Sequence, residues 1–107
     1  MKMPGNMKNM MKQAEKMKAE MDKLQEQAGD KRVEAVSGGG MGKVTAKAKG
    51  EIISVLIDDE VIASQDKEMI QDLIQVAIND ALNKGQEAIK DEMSKAAISM
   101  GIPPGLL

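Results

Sequence analysis

The sequence predicts an α+β protein built in the order helix, three-stranded antiparallel meander, long C-terminal helix. Three observations predict it. Apolar side chains from Met7 to Ala28 recur at alternating spacings of three and four, the repeat of one helix face. Between residues 32 and 57 the period changes to two, the repeat of a strand. From about Asp66 to Ser99 the three-and-four stripe returns. A chain of 107 residues suffices for one small core and not for two, so a single domain spanning 1–107 is expected.

The first helix is placed at 6–28. Met7, Met10, Ala14, Met17, Met21, Leu24 and Ala28 keep an a/d pattern through three heptads. Pro4 and Gly5 precede it, Asn6 suits the N-cap, and Gly29-Asp30 ends it. Strands are expected at 32–37, 43–49 and 51–57. In the second, Val44, Ala46 and Ala48 alternate with Thr45, Lys47 and Lys49, as in a strand buried on one side. The third is apolar on both sides, at Ile52, Ile53, Val55, Leu56 and Ile57, and is expected to be the best covered. Lys49-Gly50 is short enough for a tight hairpin turn with Gly50 at positive φ, whereas Gly38-Gly39-Gly40-Met41-Gly42 makes a longer, flexible connection.

The second long helix, 66–99, is capped by Ser64 or Asp66 and stopped by Gly101, Pro103 and Pro104. At 1.5 Å per residue it is about 50 Å long, while a compact 100-residue domain has a radius of gyration of about 13 Å. It must project beyond the sheet, and its apolar stripe then needs cover from the N-terminal helix or from a second copy of the chain. Gly85 interrupts the stripe and marks a bend or a close approach. Residues 1–5 and 102–107 are expected to be mobile ends.

Composition excludes much chemistry. The chain has no Cys, His, Phe, Tyr or Trp, so thiol nucleophiles, zinc fingers, histidine acid–base pairs and base-stacking platforms are all ruled out. No apolar run nears the roughly 20 residues of a membrane span, and the N-terminus lacks a signal-peptide core; a soluble cytoplasmic protein without membrane contact is expected. The net charge of −2 hides an asymmetry. Residues 1–32 carry eight positive and five negative side chains, whereas 33–107 carry seven and twelve. A basic N-terminal segment on an acidic remainder speaks to partners rather than to fold.

The candidate motifs divide unequally. The run Ser37–Val44 resembles a phosphate-binding loop only in its glycines: Ser37 stands where a Gly is required, Val44 where a Ser or Thr is required, and a strand follows instead of a helix. It is read as a hairpin loop. Asp58-Asp59-Glu60 lacks calcium-loop spacing and is read as a solvated connection, so no metal, cofactor or small-molecule substrate is expected. Lys8, Lys12, Lys16 and Lys23 carry the stronger signal. At 100° per residue they fall within an arc of about 80° and span about 22 Å along the axis, away from the methionine seam. That is the scale on which duplex DNA presents phosphates, one charge per roughly 1.7 Å. Glu26 in the same arc and Glu15 beside it dilute the patch, and a solvated polar face is the plain alternative. Met7, Met10, Met11, Met17 and Met21 are adaptable fillers suited to an interface.

Several stretches together resemble the YbaB/EbfC family of bacterial nucleoid-associated proteins. Gly5-Asn6-Met7 with Met11-Lys12-Gln13-Ala14 looks like that family's opening helix. Similar too are the glycine loop running into Lys43-Val44-Thr45, Gly50-Glu51 leading to Ile57-Asp58, and Asp66-Lys67-Glu68-Met69-Ile70 with Asp72-Leu73-Ile74. Asn79-Asp80-Ala81 and the tail Gly101-Ile102-Pro103-Pro104-Gly105-Leu106 complete the series. Asp59 stands where the family commonly has Pro, and Gly42 where it has a β-branched residue. The resemblance implies an α+β protomer pairing into a tweezer-like homodimer with helical arms. It also implies DNA binding with weak sequence preference, for nucleoid organisation or gene regulation.

The resulting expectation is a non-catalytic homodimer, acting in the cytoplasm at the nucleoid, that binds double-stranded DNA. Lys8, Lys12 and Lys16 contact phosphates, Lys18 and Lys23 add weaker contacts, and Lys90 and Lys95 contribute from the far end of the second helix. The rival reading is a helical adaptor or chaperone-like clamp that grips protein segments with its methionine seam. Salt separates the two, because only the first is electrostatic.

Overall fold

The structure, a computed structural model, describes residues 5–101. Its elements are α1 (Gly5–Gly29), β1 (Arg32–Ser37), β2 (Gly42–Lys47), β3 (Glu51–Ile57), α2 (Asp59–Ala63) and α3 (Lys67–Ser99). The strands form an antiparallel sheet in the order β1-β2-β3. Gly5 already belongs to α1; the other residues expected to be mobile, and the tail motif from Ile102 onward, lie outside the described residues. Asn6 is therefore inside the first turn, where its Oδ1 accepts the Met7 N–H at 2.9 Å.

The core is made of small side chains. Val33, Ala35 and Ser37 of β1 stand opposite Ala46, Val44 and Gly42 of β2, and α3 lays Leu73, Ala77, Ala81 and Gly85 on that face at a spacing of four. Ala35, Val44, Ala46, Ala77 and Ala81 form the buried cluster, flanked by Val33 and Ile78. Such residues let a helix approach a sheet closely. Gly85 is the extreme case: a Cβ there would strike the Ala48 carbonyl oxygen and sit 2.9 Å from Ala48 Cα. The gap in the apolar stripe is thus a close approach.

β2 ends at Lys47, earlier than the 43–49 expected, and the hairpin is a three-residue turn, Ala48-Lys49-Gly50, with Gly50 at φ 105°. Ala48 and Lys49 are drawn away from β3 because their N–H groups donate to the carbonyls of Lys31, at 2.7 Å, and Gly29, at 2.9 Å. The end of α1 is thereby fastened to the sheet. At the other end, Gly38-Gly39-Gly40 forms one 3-10 turn with all three residues at positive φ. A Cβ on Gly38 would lie 2.5 Å from a Leu73 methyl and 2.9 Å from Met41 Cε, so this connection packs on α3.

The expectation that the third strand is the best covered is wrong. β3 is the least covered strand, with Ile52, Ile53 and Val55 37–40% exposed and Leu56 60% exposed. The reason is geometric. A helix about 10 Å wide covers two strands spaced about 4.8 Å apart, not three, and α3 lies over β1 and β2. Apolar composition reported a surface without a partner in this chain.

Asp58 caps the short helix α2, accepting the Glu60 N–H at 3.0 Å, and Asp66 caps α3, accepting the Met69 N–H at 3.1 Å. α3 projects as its length requires: the molecule measures 74 × 22 × 17 Å, with a radius of gyration of 20.9 Å. No helix among the described residues is long and apolar enough to cross a membrane.

Candidate nucleic-acid interface

α1 is an arm held at one end. Its last residues, Ala28 and Gly29, are buried, and Leu24, Gln27 and Ala28 share a cleft with Ala96 and Ser99 of α3. Two ion pairs brace the junction: Lys31 Nζ to Glu92 Oε1 at 2.9 Å and Lys49 Nζ to Asp30 Oδ1 at 3.3 Å. Glu92 is held below the usual carboxylate range, first by its hydrogen bond to Lys31 and then by the charges of Lys31 and Lys95. From Leu24 back to Gly5 the helix runs about 28 Å further at 1.5 Å per residue, while α3 ends at Ser99 beside Leu24. Residues 5–20 are exposed without exception.

The lysines singled out from the sequence stand on this arm. Lys8, Lys12, Lys16, Lys18 and Lys23 are all exposed, and none is in an ion pair with another described residue. The contrast with the body is sharp. Lys31, Lys43, Lys47, Lys49 and Lys84 each face a carboxylate within 4 Å. Four ammonium groups of the arm share one arc, and Lys18 stands apart from them, closer to the methionine face. An exposed, unpaired ammonium keeps its hydration and its freedom to meet an external anion.

Lys90 and Lys95 are not brought together. Five residues apart, they point about 140° away from one another around α3 at 100° per residue. Lys95 lines the cleft between α1 and α3 beside Lys31 and Glu92, whereas Lys90 lines a separate one with Asn83, Gln86 and Glu87. Only Lys95 is continuous with the arm.

The other candidates have structural employment. The glycine run is the turn between β1 and β2 and opens into a strand. Asp58 accepts a backbone N–H as a helix cap, and no group of three or more metal-ligating side chains gathers among the described residues. Sequence reasoning missed the two ion pairs at the arm's root. Lys31 and Glu92 are 61 residues apart, and no local pattern connects them.

Known proteins resemble this chain over nearly its whole length. Residues 2–100 match the YbaB/EbfC DNA-binding family. A protein of Pelotomaculum thermopropionicum named nucleoid-associated protein is 45% identical over 101 residues, 94% of this chain and 96% of the relative. Another so named, from Desulforamulus reducens, is 48% identical over 101 residues with the same coverage. Among solved structures, an uncharacterized protein from Helicobacter pylori superposes with a TM-score of 0.56 at 31% identity, covering 81% of this chain and 96% of that one.

Proposed function

The chain belongs to the YbaB/EbfC DNA-binding family, and from that premise we propose that it is a nucleoid-associated protein that binds double-stranded DNA through the phosphate backbone, with α1 as the contacting arm. One observation carries the assignment of the site. The five lysines Lys8, Lys12, Lys16, Lys18 and Lys23 stand exposed without an ion pair among the described residues, whereas five of the body's eight, Lys31, Lys43, Lys47, Lys49 and Lys84, each face a carboxylate. Lys8, Lys12, Lys16 and Lys23 make the main row, Lys18 and Lys95 flank it, and Lys90 contributes least because it faces elsewhere.

Phosphate contact without base reading suits the side chains present. Bidentate recognition of guanine uses Arg, and the chain has one, Arg32, at the start of β1 and not on α1. Lysine offers a point charge that positions the duplex without reading it, hence weak sequence preference. Nothing in this mode calls for catalysis, a metal or a cofactor. A protein of this kind works at the nucleoid, as the names of its relatives indicate.

The protein acts as a homodimer in this reading. β3 is an edge strand with Ile52, Ile53, Val55 and Leu56 exposed, and an apolar edge of this kind invites a partner. Pairing two copies there presents two arms, each neutralising about four phosphates. The logarithm of the association constant then falls against the logarithm of salt concentration with a slope near −3.6 per arm. A fluorescence-anisotropy titration of a labelled duplex between 50 and 300 mM salt is the test, with light scattering for the mass. Salt-insensitive binding, or affinity unchanged in Lys8→Glu/Lys12→Glu/Lys16→Glu, would overturn the site; a monomer mass at micromolar concentration would overturn the dimer. Salt-insensitive capture of an unfolded protein would instead favour a methionine clamp.

A further inference from the structure

We propose that the exposed methionine face of α1 docks into a cleft at the start of α3 of a second copy, linking copies head to tail. The face comes first. Met7, Met10, Met17 and Met21 fall within an arc of about 80° at 100° per residue. This arc continues the surface on which Leu24 and Ala28 rest beside α3. Where α3 stops the face does not, and Met7 is 51%, Met10 67% and Met17 37% exposed. Pairing this face with the same face of another arm brings like charges together, since residues 8–23 carry five Lys against Glu15, Glu20 and Asp22. It also offers only about two uncovered heptads, short for a coiled coil.

A surface of opposite charge lies at the other end of the molecule. Between the glycine turn and the first turns of α3 is an open cleft of about 390 Å³ whose apolar lining is Met69, Leu73 and Val76. Val76 is 57% exposed. Glu68 and Asp72 stand on its rim, and neither is in an ion pair with another described residue. From 58 to 72 the chain has six carboxylates and a single cation, Lys67. Methionine sulfurs and methylenes suit the shallow apolar floor, and Lys18, the arm lysine nearest the methionine face, suits the acidic rim.

The same chain cannot make this contact with itself. The cleft lies near residues 66–76 and the arm leaves the body near Ser99, about 39 Å away along α3 at 1.5 Å per residue, running further off. A contact between unlike surfaces of two copies is heterologous and need not close, so it adds copies in a row. It is distinct from the β3 edge, which lies across the sheet from β1. Lys12, Lys16 and Lys23 point away from the methionine face and stay available. That such a row would lay arms along DNA rests on the reading above; the contact itself does not.

Sedimentation velocity of the full chain without DNA tests it. At 50 mM salt the wild type should form species larger than a dimer, with these dispersed at 500 mM. Glu68→Lys/Asp72→Lys, both exposed positions, should weaken this assembly at least tenfold, and Val76→Ser should weaken it independently. Met7→Ser/Met10→Ser/Met17→Ser should do the same from the other side. Mixing the Glu68→Lys/Asp72→Lys protein with the triple-serine protein should restore association that neither shows alone, because one supplies a sound arm and the other a sound cleft. The absence of low-salt species above the dimer, or their persistence in the Glu68→Lys/Asp72→Lys protein, would overturn the proposal. Binding to a duplex of about 12 base pairs, too short for a row, separately tests the DNA reading and should be unchanged in Glu68→Lys/Asp72→Lys.

Discussion

The arm and the body of this protein are made from the same few residue types and use them in opposite ways. In the body, alanines and a valine close a helix against two strands, and every lysine but Lys67, Lys90 and Lys95 faces a carboxylate. In the arm, methionines and lysines stand in solvent on a helix gripped only at its root. Helices in proteins owe most of their stability to tertiary packing, so α1, packed only near Ala28, Gly29 and Lys31, depends on that junction for its stability and, in the proposed reading, on its free length for its role. The proposed function thereby assigns stability and binding to different regions, and substitutions should separate them.

The largest expected effect is on the body. Gly85→Val forces a branched side chain onto the Ala48 backbone and should cost about 3 kcal/mol, in the range of severe overpacking. That lowers the melting temperature by more than about 10 °C for a domain of this size, read by circular dichroism at 222 nm. A melting point unchanged by this substitution would mean that helix and sheet do not meet there. Next is the arm. Lys8→Glu/Lys12→Glu/Lys16→Glu should lower duplex affinity on the order of 100-fold near 0.1 M salt and flatten the salt dependence, with the melting temperature unmoved. If this variant lost stability as well, the arm would not be the independent lever described.

How far the sequence reveals this arrangement follows the same divide. The helices and β1 are legible because periodicity is a local property: Leu73, Ala77 and Ala81 mark the buried face of α3 with no knowledge of the sheet. The arm's lysines are legible for the same reason, since an arc on one helix needs only the helical angle. What escapes is relational. β3 reads as a buried strand because Ile52, Ile53, Val55, Leu56 and Ile57 are apolar, and nothing local says that α3 is too narrow to reach it. The end of β2 is misplaced by two residues because Ala48 and Lys49 bond to Lys31 and to Gly29, the last residue of α1, 17 or more residues upstream. α2 is too short to set up a period, and only the Asp58 cap hints at it. The root of the arm, Lys31 with Glu92, joins positions that no sequence window contains together.

A smaller effect checks the entry into α3. Asp66 satisfies the Met69 N–H through its carboxylate, and Asp66→Ala should cost about 1 kcal/mol, the usual loss for a capping oxygen. Its melting temperature should fall by roughly 4–8 °C, while the affinity of the arm for a short duplex stays that of the wild type. A loss of DNA affinity without a loss of stability would place Asp66 in the binding surface and blur the division between the two regions.

The smallest effect concerns the joint between them. The Lys31–Glu92 pair is largely open to solvent, its side chains 56% and 42% exposed, so it contributes little to global stability; its expected consequence is angular, fixing where α1 points relative to α3. Lys31 holds the Glu92 carboxyl below its ordinary value of 4.5. A group whose folded value is depressed contributes fully above its unfolded value, and the contribution disappears as pH falls through the folded one. The arm should therefore keep its orientation at neutral pH and loosen as pH falls below the ordinary carboxyl value. Because the chain has no Cys, two introduced cysteines, at Gln13 on α1 and Gln86 on α3, can carry spin labels uniquely. The distance distribution between them should be narrow at pH 6 and broaden on acidification below the ordinary carboxyl value of 4.5 in the wild type. In Glu92→Gln it should be broad at both. A distribution equally narrow in both proteins at both pH values would show that Ala28, Gly29 and the Lys49 contacts hold the arm by themselves, and that the ion pair is a bystander.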